Sequence, residues 1–360
     1  MFIIMGKFAF CAEYALFYPV HDSLTIGITG VPYASYTSEQ GTSLGLSLLL
    51  YEKRSSTNPI PHQSFRFQIN GKSDFDQLHE LEFEGVVPWY HRNFQTIFLL
   101  SFKDIPKTFY GIGGNTSQHE KKKYQREQYI FTGNHLKNIS AQSAWGLAWD
   151  FSKYQNSGDL FNPNLVSLSS AVWTGKVQYT TSGLGIAYLY NSRTPLIFPS
   201  RGHYYKQQVM FYHQKLGSDE NFVTLQQDYQ YYFPLDQHIF ASQIIMNNTF
   251  FQVPLNYLPE QGNSSMLRGY ATGRFLDHHF LGVQTEYRSP LMIERFSAVA
   301  FLATGLSFYE PQNITYHYFH VTGGLGLRIA LDRIDRINAR IDIGFSQEGS
   351  QLYLKFGEAF

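Results

Sequence analysis

The stretch with the most chemical character is SSMLRGYATGRF, residues 264–275, in which one guanidinium, Arg268, stands between Leu267 and Gly269. A guanidinium offers five donors in a planar fork, so it can pair with a carboxylate and stack on a ring at once. Gly269 permits a tight turn and close backbone approach, and Tyr270 follows as a packing partner. Metal ligation has weaker support. His278 and His279 beside Asp277, and His317 near His320, are the available donors. Adjacent histidines on a strand point to opposite sides, so solvated loop residues explain them better. Neither a nucleophile elbow nor a spaced Ser, His and acid set is present, and GIGGN at 111–115 lacks the strand-to-helix context of a dinucleotide fingerprint. No catalytic residue, metal or cofactor is expected, and the chain is not read as an enzyme.

The elements that must position Arg268 have the strand period of two. Phe65, Phe67 and Ile69 alternate with Arg66, Gln68 and Asn70. Trp145, Leu147, Trp149 and Phe151 oppose Ala144, Gly146, Ala148 and Asp150. Ala339, Ile341, Ile343 and Phe345 oppose Asn338, Arg340, Asp342 and Gly344. Such segments number about sixteen, each about ten residues, an even count within the range of outer-membrane barrels. The polar faces carry Arg66, Glu82, Glu84, Asp150, Asp228, Glu286, Arg288, Arg328, Arg340 and Asp342. A closed core would not satisfy so many ions, whereas a hydrated lumen would. The expected fold is therefore an all-β transmembrane antiparallel barrel.

Composition agrees. Aromatic residues make up 17% and charged residues only 16% of the 360, where roughly a quarter charged is usual. Trp89, Tyr90, Tyr229, Tyr231 and Tyr287 suit the interfacial girdles of a barrel. Formal net charge is zero, and a solvated turn accounts for Lys121–Lys123, so no nucleic-acid partner is expected. The single Cys11 excludes an intramolecular disulfide framework. No apolar run reaches the ~18 residues of a membrane helix.

Turns fall into two sets. GKSDFDQ, FPSRG, FPLDQ, RSPLMIER and DRIDRIN are short, whereas KRSSTNPIPHQ, KLGSDEN, YEPQNITYHY and the segment from about 254 to 279 are longer. Barrels keep short turns periplasmic and long loops outside, which makes the last segment the sixth external loop, between strands eleven and twelve. Residues 1–35 read as a signal remnant and N-terminal segment, with LTIGITG as an extra strand or a plug, and residues 36–360 as the barrel.

Several motifs, in order, resemble the bacterial surface antigen family, whose members include outer-membrane protein assembly factors and two-partner secretion transporters. They are FYGIGGNTS (109–117), YNSRTPLIFPSRG (190–202), LRGYATGRFLD, and the closing run GGLGLRIALD, NARIDIGF and LYLKFGEAF. The resemblance covers roughly residues 36–360. It implies a sixth loop folded back into the lumen, with Arg268, Gly269 and Tyr270 as its tether. The family's Asp on strand thirteen is replaced here, in Phe301-Leu302-Ala303-Thr304-Gly305, by Ala303. Glu286 and Asp342, on neighbouring polar faces, are the substitute anions expected.

The resemblance further implies a weak seam between first and last strands, and an insertion signal in the final strand, where Phe356, Gly357 and Phe360 stand. Glu358 would then interrupt the lipid face near the interface. Family members carry polypeptide-transport-associated (POTRA) domains ahead of the barrel; no room for one is read in this chain, so client capture on such a domain is expected to lie elsewhere. The function implied is insertion or translocation of protein or lipid at a Gram-negative-type outer membrane. Outer-membrane lipids, unfolded or secreted client proteins and a separate periplasmic POTRA-bearing or chaperone protein are the partners. The rivals are a passive pore constricted by the loop and an adhesive surface barrel.

Overall fold

The computed structural model describes residues 25–37, 41–53, 65–89, 93–161, 173–174, 176–195, 198–292, 295–330 and 338–360. Sixteen antiparallel strands form one sheet in sequence order. The first eight are β1 Thr25–Thr37, β2 Gly41–Lys53, β3 Arg66–Ser73, β4 His79–Trp89, β5 Phe94–Phe109, β6 Lys122–Asn138, β7 Ser143–Ser157 and β8 Gln178–Asn191. The second eight are β9 Gly202–Tyr212, β10 Phe222–Leu235, β11 His238–Phe251, β12 His279–Arg288, β13 Phe296–Phe308, β14 Phe319–Ala330, β15 Asn338–Ser346 and β16 Gly349–Phe356. Sequential pairing needs only hairpins, so each strand can recruit the next without a crossover.

Alternation decides which side chains face lipid. Leu147, Ile186, Leu302 and Leu325 all point outward with more than half their surface free, while Ala148, Ala187, Ala303 and Asp342 are buried on the inner face. Trp89, Tyr229 and Tyr231 are outward and exposed, and Tyr287 donates to or accepts from His238 Nδ1 at 2.7 Å beside the β10–β11 turn. Tyr90 lies outside the described residues. Fifteen-residue β7 and seventeen-residue β6 stand against eight-residue β3 and β16, and where the first and last strands meet, eight-residue β16 faces thirteen-residue β1.

Two expectations are corrected. The barrel begins at Thr25, ahead of the boundary expected at residue 36: LTIGITG enters β1, paired with β2 from Thr25↔Lys53 to Thr37↔Gly41. Gly27, Gly30 and Pro32 break the apolar alternation there and hide the strand. The rest of the proposed signal remnant, residues 1–24, lies outside the described residues. With this strand in place, the sides expected for GKSDFDQ and KRSSTNPIPHQ are exchanged. GKSDFDQ joins β3 to β4 on the rim where Thr272 of the sixth loop sits, sharing a cavity of about 560 Å³ with it. β2 and β3 meet at the opposite rim; residues 54–63 of KRSSTNPIPHQ and 332–337 of DRIDRIN lie outside the described residues.

Candidate functional site

Residues 252–278 connect β11 to β12, and they turn into the barrel instead of away from it. Val253 and Pro254 pair with Trp173 and Thr174, a 3₁₀ turn follows over Leu255–Tyr257, and Glu260–Gln261 then pairs with Phe275–Leu276 as a short hairpin. Val253, Leu255, Leu258 and Leu276 pack on inner-wall residues that include Tyr124, Tyr212 and Phe222. Met266, Leu267, Tyr270 and Phe275 form a second cluster with Phe280 and Ala303. The apolar half of the loop thereby buries itself on the same wall that carries the charges.

Arg268 lies at the tip and is 1% exposed. Its Nη2 donates to Glu286 Oε1 at 2.5 Å and its Nη1 to Asp342 Oδ2 at 2.9 Å. The carboxylates on β12 and β15 are thus the two that receive it, and neither is exposed to solvent. Beneath the guanidinium lies the Phe301 ring, 3.5 Å away at its centroid. Tyr270, the expected packing partner, instead sets its ring edge-on to Phe275 and His320. Its backbone carbonyl accepts from Tyr353 Oη at 3.2 Å, and the same phenol accepts from Gly269 N at 3.1 Å.

Glycine on both sides allows this approach. Gly269 has φ 119°, and a Cβ there would stand 2.8 Å from the Phe345 carbonyl carbon. A Cβ on Gly344 would stand 2.5 Å from the Arg268 carbonyl carbon. Loop backbone and β15 backbone therefore touch, a closeness only glycine permits. Ser346 Oγ adds a bond to the Gly269 carbonyl at 2.9 Å.

A wider ion network supports Arg268. Glu286 also receives Arg288 at 2.8 Å, and Asp342 receives Arg328 at 2.5 Å. Arg328 reaches on to Glu358 at 2.7 Å. Glu358 is thus inward and buried instead of lipid-facing, because Gly357, at φ 76°, turns the chain after β16 ends. Phe360 follows it inward: its ring lies 6.2 Å from that of Tyr232 and 5.3 Å from the Arg288 guanidinium. Phe356 closes β16 opposite Ala339. Part of the polar inner face is thus paired among its own ions and with the loop.

Three further anchors were not among the residues expected to tether the loop. Arg274 grips Glu348, in the β15–β16 turn, with Nε at 2.8 and 2.9 Å, and donates through Nη1 to Thr116 Oγ1 at 2.8 Å. Glu260 takes Lys107 at 2.5 Å and Arg126 at 3.1 Å. Burial raises the Glu260 pKa, but Lys107 and Arg126 outweigh it and hold the group at about 2. Tyr257 Oη meets Asp150 Oδ2 at 3.2 Å and Thr181 Oγ1 at 2.7 Å.

The histidines read as solvated loop residues divide. His317 is exposed, whereas His278 and His320 are buried. His320 stacks on Phe275 at 3.5 Å and bonds the Gly114 carbonyl at 2.7 Å, fixing the FYGIGGNTS segment to the sixth loop. Among the described residues no group of histidines and acids has the arrangement of a metal site.

Sixteen antiparallel strands in sequence order, lipid-facing outside and plugged by the sixth loop, define a transmembrane β-barrel of the outer-membrane class. The chain belongs to the Omp85 superfamily, whose domain matches residues 62–359. In fold it is similar to BamA from Haemophilus ducreyi lacking POTRA domains 1–3, with 12% identity, a TM-score of 0.62, and coverage of 93% of this chain and 70% of that one. It is also similar to CdiB from Acinetobacter baumannii, at 12% identity and a TM-score of 0.56, covering 92% of this chain and 59% of that one. CdiB from Escherichia coli gives 12% identity and a TM-score of 0.57, covering 92% of this chain and 62% of that one. The chain thus spans less than two thirds of either CdiB chain. No curated protein matches its sequence. It is an outer-membrane barrel related to assembly and translocation factors.

Proposed function

We propose that this barrel inserts or translocates a macromolecule, protein or lipid, at the outer membrane. The reading is carried by the junction of β1 and β16. Every other pair of neighbouring strands is joined by a ladder, while among the described residues no ladder joins these two. Unpaired backbone N–H and C=O groups are costly in lipid, so such an edge disorders the bilayer beside it. The same edge accepts an extended segment by strand addition. Eight-residue β16 is also shorter than the roughly 9–11 residues a spanning strand needs, which adds to the disturbance.

In this reading Arg268, Gly269 and Tyr270 tether the sixth loop, and Glu286 and Asp342 are their partners on the wall. Outer-membrane lipids and unfolded or secreted clients are the substrates. A separate periplasmic protein, POTRA-bearing or a chaperone, delivers the client. The test is the folding rate of an unfolded client barrel into liposomes with and without the purified protein. Acceleration is expected; ion conductance with no acceleration would replace this reading with that of a passive pore.

A further inference from the structure

We propose that the inner wall beside the β1–β16 junction holds an anion site, built from Arg340 and Lys355, that takes a phosphate group. Arg328, Arg340 and Lys355 are direct cross-strand neighbours on β14, β15 and β16. Like charges placed directly opposite repel one another, so the row calls for anions between its members. The nearby carboxylates are engaged elsewhere. Asp342 serves Arg268 and Arg328 at 2.9 and 2.5 Å, which leaves Arg340 at 3.5 Å. Glu358 binds Arg328 and Asn338, and Glu286 binds Arg268 and Arg288. On β4, Glu80 is paired with Lys72 and Glu82 with Lys103, each at 2.8 Å.

Arg340 is the telling group. Its side chain is 3% exposed, and Nη2 donates to the Ser264 carbonyl at 2.8 Å, but Nε and Nη1 have no hydrogen-bond partner. Buried guanidinium donors without acceptors carry an uncompensated desolvation penalty. Among the described residues Lys355 makes no ion pair, and its side chain is only half-buried. A phosphate group supplies tetrahedrally arranged oxygens that meet a planar fork and an ammonium from two directions. A lipid headgroup at the junction and a free phosphate in the lumen present this same chemistry. The site does not depend on the transport reading, since its occupancy is measured without a client.

The experiment is calorimetric titration of the full chain in a maltoside detergent at low salt, with inorganic phosphate in one arm and dihexanoyl phosphatidic acid in the other. Saturable binding is expected, weakened by about tenfold or more in Lys355→Gln and in Arg340→Gln. Binding of phosphate in both forms identifies a free-anion site; binding of phosphatidic acid alone identifies a headgroup site. Lys355→Gln breaks no ion pair among the described residues, and heat-modifiable migration on a gel reports whether it remains folded. Absence of saturable binding in both arms, or binding unchanged in folded Lys355→Gln protein, overturns the assignment.

Discussion

Phe301 and Glu286 are direct cross-strand neighbours on β13 and β12, and both are taken by Arg268. One inner-wall position thus offers the guanidinium a ring face and a carboxylate, while Asp342 comes from two strands away. Ring and carboxylate contribute different things: the pair of anions neutralises the buried charge, and the ring sets the plane in which the fork must lie.

Arg268→Ala is expected to free the loop tip while the barrel stays folded. Removing one partner of a buried ion pair costs about 3–5 kcal/mol, here because Glu286 loses one of its two cations and Asp342 one of its three. Arg268→Lys should rescue little, since an ammonium does not bridge two carboxylates as a fork does. Single-channel traces and protease cleavage within residues 262–274 are the readouts. Unchanged traces together with unchanged cleavage would refute the tether.

Gly344→Ala should release the same loop without touching a charge. The added methyl carbon would overlap the Arg268 backbone, and overpacking of this kind costs about 1–3 kcal/mol. Cleavage of the loop in this variant should rise toward the Arg268→Ala level, and a loop as protected as the wild type would show that backbone contact is dispensable.

Arg274→Gln should detach the loop's returning limb from Glu348 and Thr116. Hydrogen exchange is expected to quicken at Thr116 and in the β15–β16 turn while Arg268 still holds the tip. Exchange confined to residues 272–276 would mean that the limb is held by its apolar contacts alone.

Loop anchorage should depend on pH through Glu260. Its carboxyl is held at about 2 in the folded chain against an ordinary value of 4.5. A depressed folded pKa adds stability that is fully present above the unfolded value and is lost as pH falls toward the folded one. Protease resistance of the loop should therefore be level above about pH 5 and decline between about pH 4.5 and 2. Glu260→Gln should lack that component of the decline; an identical acid profile in the variant would assign the effect to other carboxyls.

Much of this barrel was legible because strand periodicity depends on single residues that are easy to read. Parity placed Glu286 and Asp342 on the inner face, and Arg268 does meet both. What parity does not encode is which inner residues converge. Phe301 and Tyr353 read as ordinary strand aromatics, and nothing local marks them as the seat and the clasp of the loop. Arg274 stood within the quoted motif, six residues from Arg268, but its partners come from 74 and 158 residues away in sequence. Glu358 was misplaced because strand alternation was carried past Gly357, where the backbone leaves the strand. For β1 the choice between an extra strand and a plug stayed open because glycine and proline weaken its pattern.

The most direct measurement is on the junction itself. Cysteines introduced at facing positions of β1 and β16, in a background where Cys11 is replaced by serine, would lock it by a disulfide. The locked barrel is then compared with its reduced form for its effect on client folding into liposomes. Loss of acceleration on oxidation, restored by reductant, is the expected result. Equal acceleration by the locked and reduced barrels would contradict a working junction between the first and last strands.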